Sequence, residues 1–73
     1  MIIKLHDVNV ALTTNDLLMV TMNDCNIGLT YKQTEWRCVV CPNEKSAEEN
    51  FNLILAGWIP LIKEIGDGTY RKI

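Results

Sequence analysis

The chain has one histidine, three cysteines, two prolines and four glycines among its 73 residues, and each shortage closes off a class of chemistry. His6 is the single histidine, and no motif places a second base or a nucleophile beside it, so it reads as a surface residue at a strand irregularity rather than a catalytic base. Three is an odd cysteine count, no Asn-x-Ser/Thr sequon occurs, and no disulfide framework is visible, which favours a reducing compartment. The glycines do not build a phosphate-cradling loop: Gly66-Asp67-Gly68 has the form of a hairpin turn. Charge of one sign is also missing. The formal net charge is −2, and the seven basic residues are scattered, leaving no electrostatic footprint for nucleic acid. Nor is there a long apolar run. Residues 53–62 fall far short of the roughly 20 residues needed to cross a bilayer. Lys4, His6 and Asp7 interrupt any secretory core near the amino terminus, so a cytoplasmic protein with no membrane association is expected.

What the chain does have is apolar content. Hydrophobic residues make up 48% of it. A single domain of this length should gain only roughly 3–5 kcal/mol of net stability from its own core. So high an apolar load on so small a surface predicts that part of it is covered by a protein partner or a second copy, with a homodimer as the default expectation.

One segment carries a start signal, an apolar stripe and a stop signal for a helix in mutual register. Ser46 stands three residues before Glu49, the spacing of a reciprocal cap, and predicts a helix over residues 46–57. Phe51, Ile54, Leu55 and Trp58 recur at three- and four-residue spacing, with Glu48, Glu49, Asn50 and Asn52 on the remainder. Gly57, as a left-handed terminus, and Pro60 would end the helix and turn Trp58 back onto a sheet, its indole N–H bonded to a strand-end carbonyl.

The residues before it read as strands. Val8, Val10 and Leu12 alternate with polar neighbours. Thr13-Thr14-Asn15-Asp16 and Asn23-Asp24-Cys25-Asn26 are turns, and residues 17–22, 27–32 and 36–41 are extended. Ile3 and Leu5 are apolar at odd positions whereas Val8, Val10 and Leu12 are apolar at even ones, which requires a bulge or a break at His6-Asp7. After the helix, residues 58–65 read as a strand in preference to a short helix over residues 60–65, and the Gly66-Asp67-Gly68 turn leads into a strand from Thr69.

Trp36-Arg37-Cys38-Val39-Val40, then a helix closing on Leu53-Ile54-Leu55-Ala56-Gly57-Trp58, then a hairpin ending Thr69-Tyr70-Arg71-Lys72 resembles a family of small uncharacterised bacterial β-α-β-β domains. The resemblance covers about half the chain. It departs in the extra strands at the front and in Pro60, and it implies a fold but no activity, because that family has none established.

Candidate sites are few. Cys38 and Cys41 have the spacing of half a zinc site, which Cys25 and His6 would have to complete, but on a strand the pair points to opposite faces. They read as small buried residues, and no metal or other cofactor is expected. Asp16, Asp24, Glu64 and Asp67 belong to turns or strand ends, so no carboxylate pair argues for acid–base catalysis and no enzyme is expected. Tyr31, Trp36 and Tyr70 are candidates for an aromatic binding surface, with Tyr31 and Trp36 alternatively cross-strand neighbours. Glu44, Glu48 and Glu49 are either a solvated helix end or a phosphate-mimicking patch for a basic partner.

The fold class expected is α+β: an antiparallel meander with one helix across one face and a carboxyl-terminal hairpin. The helix stripe should dock on Val10, Leu18, Val20, Leu29, Trp36, Cys38 and Val40. The leading functional expectation is a non-enzymatic protein-interaction module, of the size and charge of phage or mobile-element inhibitors of bacterial host systems. A small-ligand binder and a structural zinc protein are the alternatives.

Overall fold

Two-residue turns set the frame of the molecule, whose computed structural model describes residues 2–32, 35–58 and 62–72. Strand β3 (Leu17–Asn23) reverses through Asp24-Cys25 into β4 (Asn26–Tyr31), with Asn23 opposite Asn26 and Asp24 at φ 55°. Aspartate tolerates this left-handed backbone because its short side chain bonds locally. Strand β4 pairs in turn with β5 (Trp36–Val40). At the other end β6 (Ile62–Gly66) turns through Asp67-Gly68 into β7 (Thr69–Lys72). Gly68 sits at φ 74°, where a Cβ would also come within 3.1 Å of the Met22 carbonyl oxygen, so this turn requires glycine. The five strands lie in the order β5-β4-β3-β7-β6, all neighbours antiparallel. The chain therefore leaves the sheet at β5, crosses it as a helix, and returns to put β7 beside the central β3.

The parity conflict at His6-Asp7 resolves as a break. Strand β1 (Ile2–Lys4) pairs with β2 (Ala11–Thr13) as a separate two-stranded ribbon, Ile3 opposite Leu12, and residues 6–9 form the loop between them with Asp7 at φ 63°. Ile3, Leu5 and Leu12 are all buried. The chain reversal puts odd positions of β1 and the even position of β2 on one side.

Helix α1 (Glu44–Trp58) starts two residues earlier and ends one later than residues 46–57. Asn43, not Ser46, is the cap: its Oδ1 accepts the Ser46 N–H at 2.8 Å, and its carbonyl accepts the Ala47 N–H. Ser46 is instead buried in the first turn. Gly57 remains helical, and among the described glycines only Gly68 has positive φ. The left-handed corner expected at Gly57 is absent. Trp58 is the last helical residue rather than the first of a strand, and β6 begins at Ile62. Pro60, like Gln33 and Thr34, lies outside the described residues. The buried stripe is Ala47, Asn50, Phe51, Ile54 and Trp58, with Leu55 at its margin.

The helix covers one face of the sheet, over Leu17, Val20, Ile27 and Leu29, all fully buried. Each such side chain contributes roughly 1.5–3 kcal/mol when removed from water. Trp58, 6% exposed, donates its indole N–H to the Leu17 carbonyl at 3.2 Å, the strand-end partner expected for it. Phe51 meets Tyr70 of β7 with ring centroids 5.7 Å apart in a tilted pair.

Four residues expected under the helix do not lie there: Leu18, Trp36, Cys38 and Val40 are exposed. Leu17 pairs with Tyr31 but Met19 with Thr30, so Leu18 is the extra residue of a bulge and leaves the inward series. In β5 the pairing of Ile27 with Val39 turns Val39, 5% exposed, inward, and Val40, 67% exposed, outward. Val10 is half-buried beside the core, while Val20 and Leu29 are where they were expected.

Candidate interaction surface

The sheet has a second face that none of the described residues covers. Alternation from the inward Val20, Leu29, Val39 and Tyr70 places Thr21, Gly28, Cys38 and Thr69 on the opposite side. At its centre the Thr21 and Thr69 hydroxyls are 2.8 Å apart and satisfy each other. Gly28 lies directly between Thr21 and Cys38 across the strands, and a Cβ there would stand 3.0 Å from Thr21 Cγ2 and 3.6 Å from Trp36 Nε1. Trp36 is paired with Thr30, one diagonal step from Gly28. The indole therefore leans over the gap left by the missing side chain, which buries the glycine while the ring itself stays 64% exposed.

Two shallow depressions lie on the same face, the first of them bordered by this ring. One, of about 290 Å³, has Gly28 at its floor and Thr21, Asn26, Trp36 and Cys38 around it. The other, of about 320 Å³, lies toward β7 between Leu18, Met19, Thr30, Ile65, Arg71 and Lys72. Ile65, like Leu18, is displaced by a bulge, since Glu64 pairs with Tyr70 but Gly66 with Thr69. Both bulges thus deliver an exposed aliphatic side chain to the uncovered side. The charged residues lining these hollows are cations, whereas Glu44, Glu48 and Glu49 are exposed on the helix, across the molecule.

The residues singled out from sequence are not gathered into one patch. Trp36 belongs to the open face. Tyr31 and Tyr70 lie on the helix-covered side, so Tyr31 and Trp36 are not cross-strand partners; Thr30 faces Trp36, and the Tyr31 N–H bonds the Glu35 carbonyl. The Tyr31 hydroxyl donates to the Thr13 carbonyl of β2 at 3.0 Å, tying the ribbon to the sheet. Its pKa lies above the usual 10.0 because burial disfavours the phenolate, with Arg37 opposing and Glu35 adding to the shift. Tyr70 is also raised above 10.0, chiefly by the negative charge of Glu64 beside it. Glu44, Glu48 and Glu49 ride the first turns of α1 in solvent, favourable to the helix dipole.

Asn50 is the polar residue the sequence reading missed as part of the buried framework. It is wholly buried, yet its amide makes two short bonds to the backbone of His6: Oδ1 accepts the N–H at 2.7 Å and Nδ2 donates to the C=O at 2.9 Å. This pair imitates a strand bridge and pins the β1–β2 loop to the helix. His6 itself is exposed near Glu49, Asn52 and Leu53. Asp16 and Lys32 form an exposed ion pair at 3.4 Å, an arrangement worth little in water. Cys38 and Cys41 point to opposite faces, and among the described residues no three His, Cys, Asp or Glu side chains are grouped to hold a metal. No described helix is long and apolar enough to cross a membrane.

The second half follows the order β5-α1-β6-β7, the order implied by the resemblance to β-α-β-β domains. No family model matches the chain, and no curated protein or solved structure matches it either.

Proposed function

We propose that the protein is a non-enzymatic interaction module whose docking surface is the uncovered face of the sheet, anchored by Trp36. The carrying observation is that a large aromatic ring stands 64% exposed on an open face, its Nε1 over Gly28, with Leu18, Val40 and Ile65 exposed on the same side. Tryptophan on a rigid support is the side chain that most often dominates the energy of protein association. The cations at the β7 end favour a partner with an apolar centre and a carboxylate rim. The depressions are at the bottom of the size range of small-molecule pockets, which favours a protein over a metabolite.

The test compares proteins retained from a host extract by the wild-type chain, by Trp36→Ala and Val40→Lys, and by Glu48→Lys on the helix side. A partner whose retention is lost with the two open-face changes and kept with Glu48→Lys supports the proposal. Retention insensitive to Trp36, or lost with Glu48→Lys, overturns it. Sedimentation equilibrium on the same variants tells whether a second copy is the occupant, and thermal shifts with a metabolite panel test the small-ligand alternative.

A further inference from the structure

Strand β5 is an edge of the sheet, and its outer backbone has no partner among the described residues. The phase of its ladder is fixed at both ends: the Tyr31 N–H donates to the Glu35 carbonyl and the Cys41 N–H to the Cys25 carbonyl, each at 2.8 Å. Between them Leu29 stands opposite Arg37 and Ile27 opposite Val39, so the two-residue alternation of an antiparallel ladder bonds Arg37 and Val39 to β4. The far side of the sheet gives the same phase. The Met22 N–H donates to the Gly68 carbonyl, so even positions of β3 serve β7, odd ones serve β4, and the odd positions of β4 are left for β5. Trp36, Cys38 and Val40 therefore turn their N–H and C=O groups away from the sheet. Their side chains are all exposed and none is charged.

We propose that this edge pairs with the same edge of a second copy of the chain, antiparallel about Cys38, joining two five-stranded sheets into one. The proposal rests on the ladder and is independent of the partner docked on the open face. The register that uses all three free positions sets Cys38 against Cys38 of the second copy and Trp36 against its Val40, each pair exchanging two backbone bonds. A twofold axis through Cys38 repeats the contact identically from either chain. It lays an aromatic ring beside a β-branched side chain on both sides of the axis, covering Trp36 and Val40, which are 64% and 67% exposed. Arg37, the one charge in the strand, falls opposite Val39 of the second copy, so no rung opposes like charges. The other edge of the sheet is protected: β6 is interrupted by its bulge and carries Glu64, whereas β5 has neither bulge nor proline. Two five-residue strands make a small contact against the roughly 1,200 Å² at the lower end of stable interfaces, so the dimer is reversible and forms in concentrated solution.

Sedimentation equilibrium in reductant, at up to about 1 mM protein where weak association is populated, compares wild type with Cys38→Pro and Leu18→Lys. Proline at position 38 deletes an outward N–H and leaves the bonds to β4, so the fold should survive, which circular dichroism checks. Leu18→Lys alters the open face toward β7 and leaves the β5 edge untouched. Wild type and Leu18→Lys should dimerise, and Cys38→Pro should stay a monomer. Should Cys38→Pro not fold, amide hydrogen exchange of wild type decides alone: the Trp36, Cys38 and Val40 amides should gain protection only in the concentrated sample, whereas Arg37 and Val39 are protected at every concentration. A wild-type monomer at the highest concentration, a dimer that survives Cys38→Pro, a dimer lost with Leu18→Lys, or exchange of those three amides that ignores concentration would overturn the proposal.

Discussion

Truncating Asn50 to alanine should be among the most destabilising single changes in this protein, although the residue is polar and lies in a helix. The substitution removes both bonds to the His6 backbone. Each contributes about 1 kcal/mol net, and orphaning a partly buried amide and carbonyl adds to this, for a total of roughly 2–3 kcal/mol. Against the roughly 3–5 kcal/mol available to a domain of this length, that is most of its stability. At about 4–8 °C per kcal/mol for a chain of this size, the midpoint should fall by roughly 10–20 °C. The clamp uses the backbone of His6, so His6→Ala should leave the midpoint nearly unchanged, while His6→Pro, which deletes the N–H, should reproduce part of the Asn50→Ala loss. Thermal and urea unfolding followed by circular dichroism read all three. An Asn50→Ala midpoint within about 3 °C of wild type would mean that the clamp on the His6 backbone carries little of the stability.

Three further outcomes follow from the same structure. Val39→Lys should unfold the domain or cost more than about 3 kcal/mol, whereas Val40→Lys next to it should stay within about 0.5 kcal/mol, because only Val39 is buried; urea midpoints compare them. Gly68→Ala should lose about 1–3 kcal/mol through left-handed strain and its approach to the Met22 carbonyl, again read by urea unfolding. Tyr31 and Tyr70 both hold their protons more tightly when folded, so the unfolded chain ionises first; stability present below pH 10.0 should decline as pH rises beyond it, and Tyr70→Phe should flatten part of that decline in pH-dependent unfolding.

How far the sequence reached is best judged residue by residue. The α+β class, the helix, both two-residue turns and the indole bond of Trp58 were legible, because each rests on a local signal: periodicity, turn chemistry, or a donor that needs an acceptor. The helix start was misread since Asn43 and Ser46 both offer capping oxygens, and burial of Ser46 decided between them. The face of β5 was misread because Trp36, Cys38 and Val40 form as good an apolar set as Val39 and Cys41. Alternation alone carries no sign, and only the pairing with Ile27 supplies it. Bulges at Leu18 and Ile65 arise from strand pairing, which no single-strand pattern contains. Asn50 was invisible for the opposite reason: its partner is a backbone 44 positions away. The open face, and with it the candidate surface, follows from the sequence only in outline, from one helix laid across one face of the sheet.

The two tryptophans test the central claim together, since the architecture assigns them opposite fates. Exchange of the two indole N–H protons with deuterated solvent, followed by nuclear magnetic resonance on dilute free protein, should find the Trp58 proton strongly protected by its bond to the Leu17 carbonyl and the Trp36 proton exchanging quickly. Protection of Trp36 with rapid exchange at Trp58 would mean that the helix covers the other side of the sheet, and that the surface described here is its core.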